Sequence, residues 1–174
     1  MLLNVKKLKK EKLEKIIGVA VVASILMGIS GYILSSTINN CIAFSIIQFI
    51  IILFLAFLID ISVKVFKGKG VYKDALGVVS YLSIYIGIGM IITAIFSTAG
   101  SLGLLFSFFI VVPLLVLGLS TLYAGIKELY KLDMITTFVI VSIVMSAVMI
   151  GAYIIVLFGL KMSMPMFMAS SRIF

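Results

Sequence analysis

Ile16 to Ile59 reads IIGVAVVASILMGISGYILSSTINNCIAFSIIQFIIILFLAFLI, 44 residues without one charged side chain. A helix rises about 1.5 Å per residue, so about 20 apolar residues cross about 30 Å of hydrocarbon. This stretch is long enough for two crossings, and Ser35-Ser36-Thr37-Ile38-Asn39-Asn40 in its middle has turn composition. Ala75 to Ile126 repeats the pattern over 52 uncharged residues, with its break at Ser97-Thr98-Ala99-Gly100-Ser101. Met134 to Leu160 adds 27 more, enough for one crossing. The expected fold is an all-α polytopic membrane protein, a compact bundle of five transmembrane helices. Its spans fall near residues 16–36, 41–63, 76–96, 102–125 and 134–160. A basic segment, 1–15, precedes the bundle and a Met-rich tail, 161–174, follows it.

Composition points the same way. The 174 residues are 64% hydrophobic and 11% charged, where soluble domains are nearer half apolar and a quarter charged. A soluble enzyme, a nucleic-acid-binding domain and a disordered chain are all excluded by that balance. Lysine placement sets the expected orientation. Residues 1–15, 64–74 and 127–133 hold six, four and two lysines, whereas the opposite side holds only Lys161 and Arg172. Positive charge is retained in the cytoplasm, so the N-terminus is expected inside and the C-terminus outside. The net charge of +8 is then mostly topology, with added attraction to anionic headgroups on the cytoplasmic side and no nucleic acid as partner. The lysine run before Ile16 imitates a signal peptide, but the apolar run is too long and no small-residue cleavage site closes it.

The spans differ in their small residues. Ala20, Ser24 and Gly28 stand four apart in the first, and Gly77, Ser80, Gly87 and Ala94 form a stripe in the third. Small residues let helix backbones approach closely where lipid is as apolar as leucine. Spans one and three are therefore expected inside the bundle. Span two, rich in large apolar residues and lacking glycine, is expected against lipid. Pro113 lies midway along span four, where a proline frees a carbonyl and kinks a helix at a packing or gating position. Gln48 should turn inward, and Tyr81, Tyr123 and Tyr130 should sit in an aromatic belt at the cytoplasmic interface.

Chemistry is sparse. The chain has no histidine, and its six carboxylates lie at or beyond the inner boundary. Asp60 is the most membrane-proximal, and Lys64 at i+4 makes a solvated helix-end pair the expectation for it. A proton relay would need an ionisable group at the midplane. No enzyme activity and no cofactor are expected. Met162, Met164, Met166 and Met168 alternate around Pro165, and thioethers suit Cu(I). An apolar tail lying on the interface explains the same pattern, and no metal is expected.

Two cytoplasmic segments carry a resemblance. Phe66-Lys67-Gly68-Lys69-Gly70-Val71-Tyr72-Lys73-Asp74-Ala75-Leu76, running into Val79-Ser80-Tyr81, resembles the glycine- and lysine-rich loop before the third span of the Yip family. Tyr123-Ala124-Gly125-Ile126-Lys127, leading into Glu128-Leu129-Tyr130-Lys131-Leu132, resembles that family's tyr-x-gly-leu-(arg/lys) end to span four. The resemblance implies five spans with the N-terminus inside. It also implies partner-binding candidates at Gly68, Lys69, Gly70, Tyr72, Lys73, Tyr81, Tyr123, Gly125 and Lys127. Eukaryotic members resemble membrane recruiters of prenylated Rab GTPases. Ser80-Tyr81 followed by Tyr85 departs from that branch, which has gly-tyr and then proline there. The short termini are similar to those of bacterial members, some of which accompany exporters of the ABC type.

The expected function is a non-enzymatic adaptor or accessory subunit in the cell membrane. It would meet a membrane protein partner or form a homo-oligomer. The alternative is an oligomeric permeation or lipid-handling unit. For the loop itself, the expectation is a positive-inside determinant in which Gly68 and Gly70 make the tight turn, with recognition of anionic lipid or of a partner through Lys67, Lys69 and Lys73 as the alternative.

Overall fold

The computed structural model describes residues 12–146, all of whose regular elements are helices. These are α1 (Leu13–Ser35), α2 (Ile38–Val65), α3 (Tyr72–Ser97), α4 (Gly100–Tyr130) and α5, described over Met134–Ser146. The first four are each long and apolar enough to cross a membrane. They run past the charge-defined spans at the lysine-bearing end, so α2 carries Lys64 and α4 carries Lys127 in their last turns. The rest of span five, the basic segment 1–11 and the tail with Met162, Met164, Met166 and Met168 lie outside the described residues. The chain divides into two compact units, 1–140 and 141–174. The first carries α1 to α4 and the start of α5; of the second, residues 141–146 continue a helix.

Within the first unit α1, α2 and α3 pack on one another, and α4 packs on α3. Small residues set these approaches. A Cβ on Gly28 of α1 would strike the Cys41 carbonyl and the Ser45 hydroxyl of α2. One on Gly87 of α3 would stand 2.9 Å from Leu26 Cβ and 3.4 Å from the Ala23 carbonyl oxygen. Gly125 of α4 meets Val78 of α3 in the same way. Ala20, Ser24, Gly77 and Ser80 are all buried. The serine hydroxyls do not join helices, however. Ser24 donates to Ala20 O at 2.8 Å and Ser80 to Leu76 O at 2.6 Å, each on its own helix. Their role is small volume with internal satisfaction.

Gln48 is buried on α2 with Ile52, Ala56 and Ile59, while Ile46, Ile50, Phe54, Phe57 and Ile61 face outward. α4 changes character along its length. From Leu102 to Leu117 only Gly103 and Ser107 are buried; from Gly118 to Tyr130 the helix is largely enclosed. Pro113 lies within continuous helix and is exposed.

Two helices end alike. α2 closes with Lys67 at φ 58° and Gly68 N–H donating to Val63 O at 2.9 Å. α4 closes with Lys131 at φ 53° and Leu132 N–H donating to Lys127 O at 3.2 Å. Both carry the 6→1 bond of a Schellman closure, with lysine in the left-handed position that glycine usually fills; α2 adds Lys67 N–H to Lys64 O at 3.1 Å, whereas Lys131 N–H bonds to Lys127 O. The expectation that Gly68 and Gly70 make the turn is therefore corrected: Lys67 carries the positive φ.

Candidate functional site

What the two glycines supply is room. A Cβ on Gly70 would run into the Tyr130 ring, and one on Gly68 into Val63 and, at 3.2 Å, Leu132. The 66–71 loop thus lies flat on the end of α4. Lys69 N–H donates to the Tyr130 carbonyl at 3.2 Å, and the Tyr130 hydroxyl donates to Val71 O at 3.3 Å. One tyrosine therefore holds the loop through its backbone, its ring and its hydroxyl. Tyr130 is only 1% exposed, which corrects its placement in an interfacial belt. Tyr81 and Tyr123 are half-buried, and Tyr123 donates to Met134 O at 3.4 Å across the turn into α5.

Two carboxylates lie under this loop. Asp74, 4% exposed, sits in the first turn of α3, where Val71 N–H donates to Oδ2 at 3.4 Å. A carboxylate there satisfies an orphan donor at the positive end of the helix dipole. Asp60, 5% exposed, receives Lys64 Nζ on Oδ2 at 2.6 Å, while its buried Oδ1 has no hydrogen-bond partner. The expectation of a solvated pair is corrected. The pair exists, but its acid is turned into the bundle and only the lysine, 64% exposed, reaches out. Asp60 belongs to the buried stripe Ile52, Ala56, Ile59 and Val63, which its helical spacing places inward. Tyr72, opening α3, lays its hydroxyl on Leu53 O at 3.3 Å and ties that end of α3 to α2.

Of the candidates from the resemblance, Gly68, Lys69 and Gly70 come together with the end of α4. Gly125 and Lys127 lie one turn before Tyr130, with Gly125 buried against α3 and Lys127 exposed. Tyr72 faces α2 instead, and Lys73 is half-buried at the start of α3. Asp60, Val63, Asp74 and Tyr130 complete the cluster. The i+4 spacing of Asp60 and Lys64 was visible in the sequence, but the burial of the acid was not.

On the outer side of the cluster stand Lys67, Lys69, Lys127 and Lys131, all exposed. Asp133 caps the first turn of α5, accepting Ile135 N–H and Thr136 N–H at 3.0 Å each. Bonds from the Thr136 side chain and backbone hold its carboxyl below the ordinary carboxylate range. The arrangement is a fixed, lysine-studded surface over a closed apolar and tyrosine core. No group of three or more histidine, cysteine or acidic side chains among the described residues could hold a metal.

Among known families, the Yip1 domain model aligns over residues 7–158. No curated protein and no solved structure matches the chain. The matched range takes in all four long apolar helices, the 66–71 loop and the turn after α4. The chain is accordingly a multi-pass membrane protein and belongs to the Yip1 domain family.

Proposed function

We propose that the protein is a non-enzymatic membrane adaptor or accessory subunit. It acts through helix–helix contacts and through the surface that the 66–71 loop and the end of α4 build together. The observation that carries this reading is the way Tyr130 fastens the loop through ring, hydroxyl and backbone carbonyl. A loop held in one conformation meets a partner without a large ordering cost. The chain has no histidine, and of the two buried acids among the described residues Asp74 sits at a helix N-terminus and Asp60 is paired with Lys64 through one oxygen, an arrangement suited to structure rather than reaction. An exporter of the ABC type is the partner class that bacterial members of the family bring forward. The orientation that goes with this reading has the lysine-bearing turns in the cytoplasm, the N-terminus inside and the C-terminus outside.

The test is purification in mild detergent of the wild-type chain and of Tyr130→Ala. A stoichiometric membrane protein should accompany the wild type and be lost from the variant while both remain inserted. A monodisperse monomer with no companion contradicts the reading.

One observation favours a second reading. From Leu102 to Leu117, α4 touches the bundle along a narrow stripe and is otherwise bare. A homo-oligomer meeting there could enclose a permeation or lipid-handling path. Flux or lipid scrambling in proteoliposomes no greater than in empty vesicles ends that reading.

A further inference from the structure

The turns that close α2 and α4 touch. Lys69 N–H bonds to Tyr130 O, and Gly68 packs toward Leu132, so Lys67, Lys69 and Lys131 are displayed from abutting turns at one end of the bundle. All three are exposed, and none of their ammonium groups has an ion pair or side-chain hydrogen bond among the described residues. Two of the nearby acids are withdrawn into the bundle and two, Glu128 and Asp133, stay exposed, so lysine is in excess on this surface. Asp60 and Asp74 are buried; Asp133 is exposed and accepts the N–H groups of the first turn of α5, and Glu128 is exposed. Lys67 and Lys131 also hold left-handed conformations at which glycine is cheaper. Around this cationic centre lie large apolar side chains exposed outward: Val65 at 71%, Val71 at 57% and Ile135 at 77%. Unpaired lysines beside bare apolar side chains match the headgroup level of a bilayer, where ammonium meets phosphate and the apolar groups meet acyl chains.

We propose that the 66–71 loop and the 131–133 turn form one binding site for the headgroup of an anionic phospholipid of the host bilayer, with Lys67, Lys69 and Lys131 on its phosphate. Basic surfaces between helices at the cytoplasmic boundary recognise such headgroups, and each lysine near an anionic surface adds attraction. What distinguishes this site from diffuse attraction is its backbone: Tyr130 holds the loop that carries Lys67 and Lys69 against the turn that carries Lys131. The inference stands apart from the adaptor reading, because it needs no protein partner and either can fail alone.

The test places the full chain in nanodiscs of phosphatidylcholine containing a minor share of phosphatidylglycerol, and measures phosphatidylglycerol retained with the protein. The wild type should be enriched over the bulk lipid. The triple variant Lys67→Gln, Lys69→Gln, Lys131→Gln should lose that enrichment about tenfold or more. The triple variant Lys6→Gln, Lys7→Gln, Lys9→Gln removes the same charge and should keep it. Replacing Lys67, Lys69 and Lys131 by arginine preserves charge and should retain it, which separates loss of the site from loss of folding. Equal loss in the two glutamine triples, or no enrichment in the wild type, overturns the proposal. Inorganic phosphate at matched phosphate concentration should not displace the lipid; displacement would assign the site to free phosphate instead and also overturn it.

Discussion

Tyr130 makes a hydroxyl contact and a ring contact, and two substitutions separate them. Tyr130→Phe removes only the bond to Val71 O, a part-buried neutral pair. We expect a loss of about 1 kcal/mol in thermal or denaturant unfolding in detergent. Tyr130→Ala empties the space against Gly70 and should cost about 3 kcal/mol, with the 66–71 loop becoming a site of protease cleavage. Equal effects of the two variants would mean that the ring contributes nothing. The Asp60–Lys64 pair should respond asymmetrically. Its acid is buried and half-satisfied, and its lysine is solvated. Lys64→Met strands a buried carboxylate and should destabilise by about 1–3 kcal/mol. Asp60→Asn leaves a solvated lysine behind and should be neutral or stabilising. The reverse order, read by unfolding of both variants, would contradict the burial of Asp60.

At the scale of the helix, the packing rests on where a side chain has no room. Gly87→Leu drives atoms into Leu26 Cβ and the Ala23 carbonyl, and a backbone atom cannot step aside. Overpacking of this kind costs about 1–3 kcal/mol. Gly18→Leu is the control, because a Cβ there meets nothing within 4 Å. Lower unfolding temperature for the first and little change for the second is the expected pair of results; equal changes in the two would mean that the close approach at Gly87 contributes nothing. The small-residue stripes were legible in the sequence because close approach needs small volume whatever the solvent. The bare face of α4 from Leu102 to Leu117 was not. Residues turned to lipid and residues turned to the bundle are equally apolar there, so the pattern that separates faces of a soluble helix is missing.

At the scale of the molecule, charge carried most of the information. The uncharged stretches and their polar breaks gave the helical, membrane-spanning class and the position of the turns at 36–37 and 98–99. Three local readings failed for a shared reason: each depended on what another helix brings. Asp60 is solvated on an isolated α2 and buried once α2 packs on α1 and α3. Tyr130 has interfacial spacing but is covered by a loop from 60 residues earlier in the chain. Gly68 and Gly70 have turn composition, yet their small size is used against Val63 and Tyr130 while Lys67 makes the turn.

The central claim is that the chain threads the bilayer so that the 66–71 loop and the turn after α4 share one face. A Cys41→Ser background removes the single native thiol, and Lys69→Cys, Glu128→Cys and Thr98→Cys each place one at an exposed position. An impermeant thiol reagent applied to intact cells should label position 98 and leave 69 and 128 untouched until the membrane is opened. Labelling of 69 and 128 from opposite faces, or of 98 together with either, would contradict the account.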